Sequence, residues 1–309
     1  MKVIKPEFNE LLKNFAEHTD KAIENSVSVV LKDEFDKVAV VGFGINGVSG
    51  HLLKDYLSSK KEVIVVEDFV LPENFNSKTL VFILDFSGDS EDIVQLYRNA
   101  LRKGCQIVCV SSGGKLETLC SKQSKTHIRI PYGIYDEESL PYFFFSMIVV
   151  LHNAKYIEDQ NVFLNDVVKI LKKDIFIQKG EELAKRMRGK IPLIYSTKKY
   201  YSVGYSWKNF INKFAGSHVF TNSLIDAEYS DAWAFNKLNG NYYVTIIRDN
   251  EEDLRVKKSV DSLKNKVKLA GVDIIEIGIT GSCYLTKLLS AVLIGLWTSY
   301  YLNQKDILE

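Results

Sequence analysis

Residues 37–53, KVAVVGFGINGVSGHLL, indicate the fold class of this chain. The first six residues form an apolar, β-branched run, which is typical of a buried parallel strand, and glycines follow it directly. The spacing of apolar residues over 48–57 then predicts a helix. A buried strand, a glycine-rich turn and a helix in this order open a βαβ unit.

The same order of elements recurs along the chain. The first half has further predicted strands at 63–66, 80–85 and 106–111 and a helix at 90–103. The second half begins a similar cycle with IPLIY at 191–195. Its segments YYVTIIRDNEED and AGVDIIEIGI parallel TLVFILDFSGDSED and KGCQIVCVSS of the first half. Because strands that alternate with helices form parallel sheets, we expect two α/β domains with one duplicated plan.

The connection between the halves is predicted to be helical. Residues 152–188 have long helical periodicity and contain no glycine before Gly180, unlike a loose linker. We therefore expect a first domain over 1–152, a helical connector over 153–188 and a second domain over 189–309. In the second half, RDNEEDLRVKKS is interpreted as a strand end followed by a helix start, with Asp249 as a candidate N-cap.

Composition limits the classes of partner. The chain has 309 residues, 40 basic and 39 acidic side chains and a net charge of +1, so no overall charge attracts nucleic acid. No secretory signal is evident, and the apolar runs 142–151 and 288–302 are too short or too polar to span a bilayer about 30 Å thick. The four cysteines form no CxxC pair, which favours reduced thiols and no metal site. We expect a cytoplasmic protein that binds neither nucleic acid nor a membrane.

A glycine motif follows the first predicted strand. Gly42, Gly44 and Gly47 match the pattern G-x-G-x-x-G, and Glu67 or Asp68 ends the next strand about 20 residues later. Glycines at a helix N-terminus let backbone N–H groups approach an anion, which could be a dinucleotide or a sugar phosphate. The motif alone also fits a tight turn without a ligand.

Polar residues follow two further strands. Ser87, Gly88 and Ser90 come directly after the strand at 80–85 and precede a helix, where hydroxyls and free N–H groups can cradle a phosphate or cap the helix. The segment SSGGKL, residues 111–116, ends the next strand. Since the carboxyl ends of parallel strands share one edge of a sheet, these segments predict one ligand-binding crevice.

At these residues the chain resembles a known family, the archaeal bifunctional phosphoglucose/phosphomannose isomerases, which have tandem sugar isomerase (SIS) domains. The resemblance covers nearly the whole chain. Its segments are GFGINGVSGHLL, FSGDSEDIVQLYRNALRKGCQIVCVSSGGKL, IPYGIYDEESLPYFFFSMIVVL, IPLIYSTKKYYSVGYSWKNFINKFAGSHVFTN and LLSAVLIGLWTSYYL. It implies a homodimer of two tandem SIS domains, each a mainly parallel sheet flanked by helices. It also implies interconversion of glucose 6-phosphate or mannose 6-phosphate with fructose 6-phosphate through a cis-enediol, without a cofactor.

The resemblance assigns substrate-binding and catalytic residues. It places Gly44, Asn46, Ser87, Gly88 and Ser90 at the sugar phosphate. For catalysis it aligns the family's glutamate base with Asp231, and Glu228 lies three residues earlier as a second candidate.

Several aligned positions depart from the family. Its S-x-S-G-N-T pattern corresponds to 85–90, where Asp85 and Asp89 add negative charge, and its arginine falls on or beside Glu137, with Arg129 as a substitute.

No histidine follows His218, which is interpreted as a surface residue, and Lys305 comes too early to match the family's C-terminal lysine. Two other hypotheses therefore stand beside the isomerase: a catalytically degenerate SIS protein that binds a sugar phosphate or related carbohydrate as a sensor or interaction module, and an NAD-dependent enzyme.

Overall fold

The computed structural model describes residues 14–31, 33–134, 136–237, 240–249 and 251–304. The chain divides into two compact units, and the boundary between them follows Val168. We call Asn14–Val168 the first unit and the part that starts at Lys169 the second unit. The boundary lies within a helix, Asn161–Leu171, inside the connector expected from the sequence. The exact domain limits stay a prediction.

The first unit contains a five-stranded parallel sheet in the order β2-β1-β3-β4-β5. Its strands are β1 (Lys37–Val41), β2 (Val63–Val66), β3 (Thr79–Leu84), β4 (Gln106–Ser111) and β5 (Thr126–Arg129). Its helices are α1 (Phe15–Ser26), α2 (Ile45–Leu57), α3 (Glu91–Arg102), α4 (Gly114–Lys122) and α5 (Ser139–Asn153), and a 3-10 turn covers Asp136–Glu138.

The apolar runs form the centre of this unit because both faces of a parallel sheet are covered by helices. All six residues of β3 are buried, and so are Tyr142 to Phe145 of α5. Parallel pairing aligns Val38 with Val63 on one side and with Leu80 on the other. After β1 the chain forms β2 on one side of it and then β3 on the other side, so the strand order reverses between β1 and β3. The crevice at the carboxyl ends of these two strands is the usual place for a ligand.

The second unit repeats this arrangement with four parallel strands in the order β7-β6-β8-β9. Its strands are β6 (Ile191–Ser196), β7 (Phe220–Ser223), β8 (Tyr242–Asp249) and β9 (Asp273–Ile279). Numbering Asn161–Leu171 as α6, the later helices are α7 (Ile175–Met187), α8 (Tyr201–Phe210), α9 (Leu254–Leu269) and α10 (Tyr284–Asn303). Short helical turns cover Lys198–Tyr200, Ile211–Ala215, Leu224–Asp226, Ala227–Asp231 and Ala232–Ala234.

The two sheets share their strand order, with β6, β7, β8 and β9 in the places of β1, β2, β3 and β4. The expected fold class, two α/β domains with parallel sheets flanked by helices, is confirmed. The interpretation of Asp249 as a helix cap is wrong. Asp249 is the last residue of β8, and α9 is capped instead by Asp253, whose carboxylate accepts a 2.8 Å hydrogen bond from the Arg255 N–H.

By length and composition helix α10 could cross a membrane, which corrects the expectation that the run 288–302 is too short or too polar, but 83% of its most apolar stretch is buried within the fold. It packs against α8, where the Trp207 indole N–H donates to the Ala291 carbonyl oxygen at 2.8 Å. A Cβ on Gly295 would lie 2.2 Å from the Trp207 ring, so glycine permits this close approach. The apolar character of α10 is therefore explained by its core position.

Candidate active site

The turn after β1 requires glycine for steric reasons. Gly44 has a φ of +58° and caps α2. A Cβ on Gly47 would lie 2.6 Å from the Gly42 carbonyl oxygen, so a side chain there would collide with the strand end. Asn46 lies in the first turn of α2, half-buried, and its Oδ1 has no hydrogen-bond partner among the described residues. The turn thus contains one buried side-chain oxygen without a hydrogen bond among the described residues.

The acidic residue after β2 is already engaged. Glu67 Oε2 lies 2.9 Å from His51 Nε2, and Glu67 Oε1 would lie 3.0 Å from a Cβ on Gly47. A dinucleotide ribose would need this carboxylate. The carboxylate instead packs against the glycine turn and pairs with His51 of α2.

The loop after β3, residues 85–90, is called the serine loop below. The Asp85 side chain accepts a 3.1 Å hydrogen bond from the Ser87 hydroxyl and a 2.6 Å bond from the Ser90 hydroxyl. The Ser90 backbone N–H also donates to it, at 3.2 Å. Asp85 is buried, with 4% of its surface exposed. Both hydroxyls predicted to hold a phosphate therefore donate to a carboxylate of the chain itself.

Gly88 lets the serine loop pack against the loop after β4. It has a φ of +74°, and a Cβ there would lie 2.0 Å from the Gly113 carbonyl oxygen. Backbone bonds join the same two loops, from Ser112 N to Phe86 O and from Leu116 N to Gly88 O, each 2.9 Å long. The two polar strand ends therefore form one continuous surface, as expected from their order in the sheet.

Arg129 is the residue that the sequence analysis named as a substitute for the family's arginine. Its guanidinium lies 3.5 Å from the Glu117 carboxylate, and 65% of its side chain is exposed. Neighbouring His127 lies 2.8 Å from the Ser111 hydroxyl, and burial lowers the pKa of its imidazole. The side chain of Glu137, aligned with the family's arginine, lies outside the described part of the structure.

In the second unit, Asp231 lies at the carboxyl ends of two strands. The Asn222 amide of β7 donates to both Asp231 oxygens, at 3.3 and 3.4 Å, and the Tyr195 phenol of β6 is also hydrogen-bonded to it. The Ser223 N–H donates to Asn222 Oδ1 and so orients the amide. Burial, and then the Asp231 charge, raise the pKa of Tyr195. A carboxylate is thus held in place at the sheet edge.

Glu228, the other candidate base, has different neighbours. Its carboxylate accepts from the Ser259 hydroxyl of α9, and its carbonyl oxygen lies 3.4 Å from Lys266 Nζ. His218 is exposed and lies two residues before the start of β7 at Phe220. Lys305 lies outside the described residues. The contacts of Asp231 with strand ends distinguish it from Glu228.

A charged cluster that sequence reasoning missed lies beside β6 and β8. The Asp249 carboxylate accepts from the Tyr200 phenol at 2.6 Å and pairs with Lys199 at 3.3 Å and Lys287 at 3.1 Å. Lys287 also pairs with Glu251 at 2.6 Å. Burial would raise the pKa of Asp249, but the hydrogen bonds from Tyr200 and the lysines prevail and hold it well below its usual range.

Comparison with known proteins agrees with this architecture. Residues 176–306 match the family described as the bacterial phospho-glucose isomerase C-terminal SIS domain. A bifunctional phosphoglucose/phosphomannose isomerase of Caldicellulosiruptor bescii is 27% identical over 95% of this chain and 92% of its own length. A protein of the same name from Aquifex aeolicus is 27% identical over 86% and 84%.

Among solved structures, tagatose-6-phosphate ketose/aldose isomerase from Escherichia coli shares the fold. The TM-score is 0.66 at 11% identity, with 97% of this chain and 95% of that one covered. The chain is therefore similar, over most of its length, to bifunctional phosphoglucose/phosphomannose isomerases.

Proposed function

We propose that this protein is a phosphosugar aldose–ketose isomerase, which converts glucose 6-phosphate or mannose 6-phosphate to fructose 6-phosphate, and that Asp231 is its base. The observation that carries the proposal is the position of Asp231, held by Asn222 and Tyr195 at the carboxyl ends of β6 and β7. Isomerisation moves a proton between C1 and C2 through a cis-enediol, and a fixed carboxylate is suited to that transfer.

The binding groups we assign to the substrate are those of the first sheet edge. Gly44 and Asn46 follow β1, and Ser87, Gly88 and Ser90 follow β3. Asn46 carries an amide whose buried oxygen has no partner among the described residues, and an amide can bond a sugar hydroxyl. We further propose that the protein acts in the cytoplasm as a homodimer, an arrangement in which a second copy can complete a site.

The test is a nuclear magnetic resonance time course with fructose 6-phosphate in deuterated buffer. We expect glucose or mannose 6-phosphate to form and deuterium to enter C2. Asp231→Asn should lower kcat by about a thousandfold, since a general base contributes about 10²- to 10⁴-fold. Glu228→Gln is the matched control, because it removes a carboxylate three residues away that contacts Ser259 instead. Equal losses in both variants would contradict the assignment of Asp231.

One observation favours a second function, a SIS protein that binds a carbohydrate without converting it. The serine hydroxyls assigned to phosphate already donate to Asp85. If the wild-type protein at high concentration gives neither conversion nor exchange, the isomerase proposal fails. Ligand screening by thermal shift would then test the binding function.

A further inference from the structure

We propose that Asp85 is the residue that sets phosphate affinity in the serine loop, where its carboxylate occupies the donors that a sugar phosphate would use. The inference rests on the proposed function, because it concerns the same substrate site. It adds a specificity-determining residue. The wild-type loop holds a phosphate weakly, and removal of this one carboxylate strengthens that binding.

The serine loop has a limited number of donor protons. A serine hydroxyl has one proton to donate. In the structure, the Ser87 proton and the Ser90 proton both point to Asp85, with oxygen–oxygen distances of 3.1 and 2.6 Å. The Ser90 N–H at the start of α3 donates to the same carboxylate at 3.2 Å. A phosphate can gain these three donors only if Asp85 loses them.

Charge acts in the same direction. Asp85 is buried, and within the described residues no lysine, arginine or histidine forms an ion pair with it. The Ser87 and Ser90 hydroxyls and the Ser90 N–H are therefore the groups that stabilise its charge. A dianionic phosphate at this loop would meet a buried anion that no ion pair within the described residues offsets, and repulsion of this kind weakens binding.

Asp89 satisfies a donor of the next helix. Its carboxylate accepts a 2.9 Å hydrogen bond from the Lys115 N–H, in the first turn of α4, and its own N–H donates to Ser87 Oγ at 3.1 Å. Asp89 is exposed and does not bind either serine proton. It thus adds charge to the loop but leaves the hydroxyl donors unaffected, which makes it the natural control for Asp85.

The experiment measures binding of inorganic phosphate and of fructose 6-phosphate to the full chain by isothermal titration calorimetry. Asp85→Ser should lower the Kd for phosphate by about tenfold or more, because three donors become available and one charge is lost. Asp89→Asn should change it by less than about threefold, since water screens an exposed charge. In the Asp85→Ser background, Ser90→Ala should reverse most of the gain.

Asp85→Asn serves if Asp85→Ser does not fold, as judged by circular dichroism. It keeps the shape and an acceptor, removes the charge, and should lower the Kd by at least about threefold. An unchanged phosphate affinity in the folded Asp85 variant, or an equal gain in Asp89→Asn, would overturn the inference. Turnover is assayed separately. A gain in phosphate binding without isomerisation would retain this inference and reject the proposed function.

Discussion

The Lys287 ammonium group lies 3.1 Å from the Asp249 carboxylate, and the Tyr200 phenol donates to the same carboxylate at 2.6 Å. These contacts join the end of β8, the loop after β6 and the first turn of α10. A buried carboxylate with three partners stabilises the fold as long as it stays ionised, so the cluster should make stability depend on pH.

The first prediction concerns acid. The pKa of Asp249 is lowered in the folded state, so its contribution is complete above the unfolded value of about 3.9 and is lost as pH falls through that value toward the folded one. Asp249→Asn should lower the free energy of unfolding at pH 7 by about 3 kcal/mol, because it leaves Lys287 without its buried partner. Urea unfolding at pH 7 and at about pH 3 should show that the deficit shrinks in acid.

The control for this prediction is Asp253→Asn. Asp253 is an exposed helix cap, and asparagine caps a helix equally well. The free energy of unfolding of the Asp253→Asn variant at pH 7 should stay close to that of the wild type. An Asp249→Asn protein as stable as wild type at pH 7 would contradict the role of the cluster.

The second prediction concerns Tyr195, which positions Asp231. Tyr195→Phe should lower kcat by about tenfold and leave KM nearly unchanged, because the phenol contacts the base rather than the substrate. Steady-state kinetics with fructose 6-phosphate provides the measurement. Tyr243→Phe is the matched control for Tyr195→Phe, since it removes the hydroxyl of a buried tyrosine on the neighbouring strand β8. A similar fall in kcat for both variants would indicate a general loss of packing.

The third prediction concerns Gly88. Alanine there meets the Gly113 carbonyl oxygen at 2.0 Å and is strained by a φ of +74°. We expect a loss of about 3 kcal/mol in unfolding free energy and weaker ligand binding. Gly104 has the same φ of +74° but no atom within 4 Å of a Cβ, so Gly104→Ala should cost only about 1 kcal/mol. Equal losses on urea unfolding would show that strain, not the contact between loops, explains the effect.

The fourth prediction addresses the NAD hypothesis. The Glu67 carboxylate is bonded to His51 and packs across Gly47, where a ribose would need it. NADH should therefore leave the melting temperature unchanged, although a true ligand at 100 times its Kd stabilises by about 2.7 kcal/mol. Fructose 6-phosphate in the same thermal-shift series is the positive comparison. A clear rise of the melting temperature with NADH would support the interpretation of the glycine motif as a dinucleotide site.

The order of strands and helices could be predicted from the sequence because it depends on local patterns. Apolar β-branched runs bounded by glycine give buried parallel strands, and the run at 106–111 became β4 with the same limits. Element ends were less well defined. Helix α2 starts at Ile45 rather than at 48, because the glycine turn passes directly into its first turn.

The candidate site was predictable only in part. Residues after strands in a parallel sheet must share one edge, and the serine loop does pack against the loop after β4. Which of two carboxylates contacts the strand ends could not be decided from spacing. Glu228 and Asp231 lie three residues apart in one helical segment, and a π-helical turn over Ala227–Asp231 alters the direction of each side chain.

The sequence by itself determined the two parallel sheets, their shared plan and the residue types at the strand ends, since these follow from periodicity and from glycine. Tertiary structure alone decided the partners of the charged groups. Asp85 meets Ser87 and Ser90, and Asp249 meets Tyr200 and Lys287. The physical reason is that a hydrogen bond or ion pair depends on distances of about 3 Å between groups that can be far apart along the chain, and only the folded backbone fixes those distances.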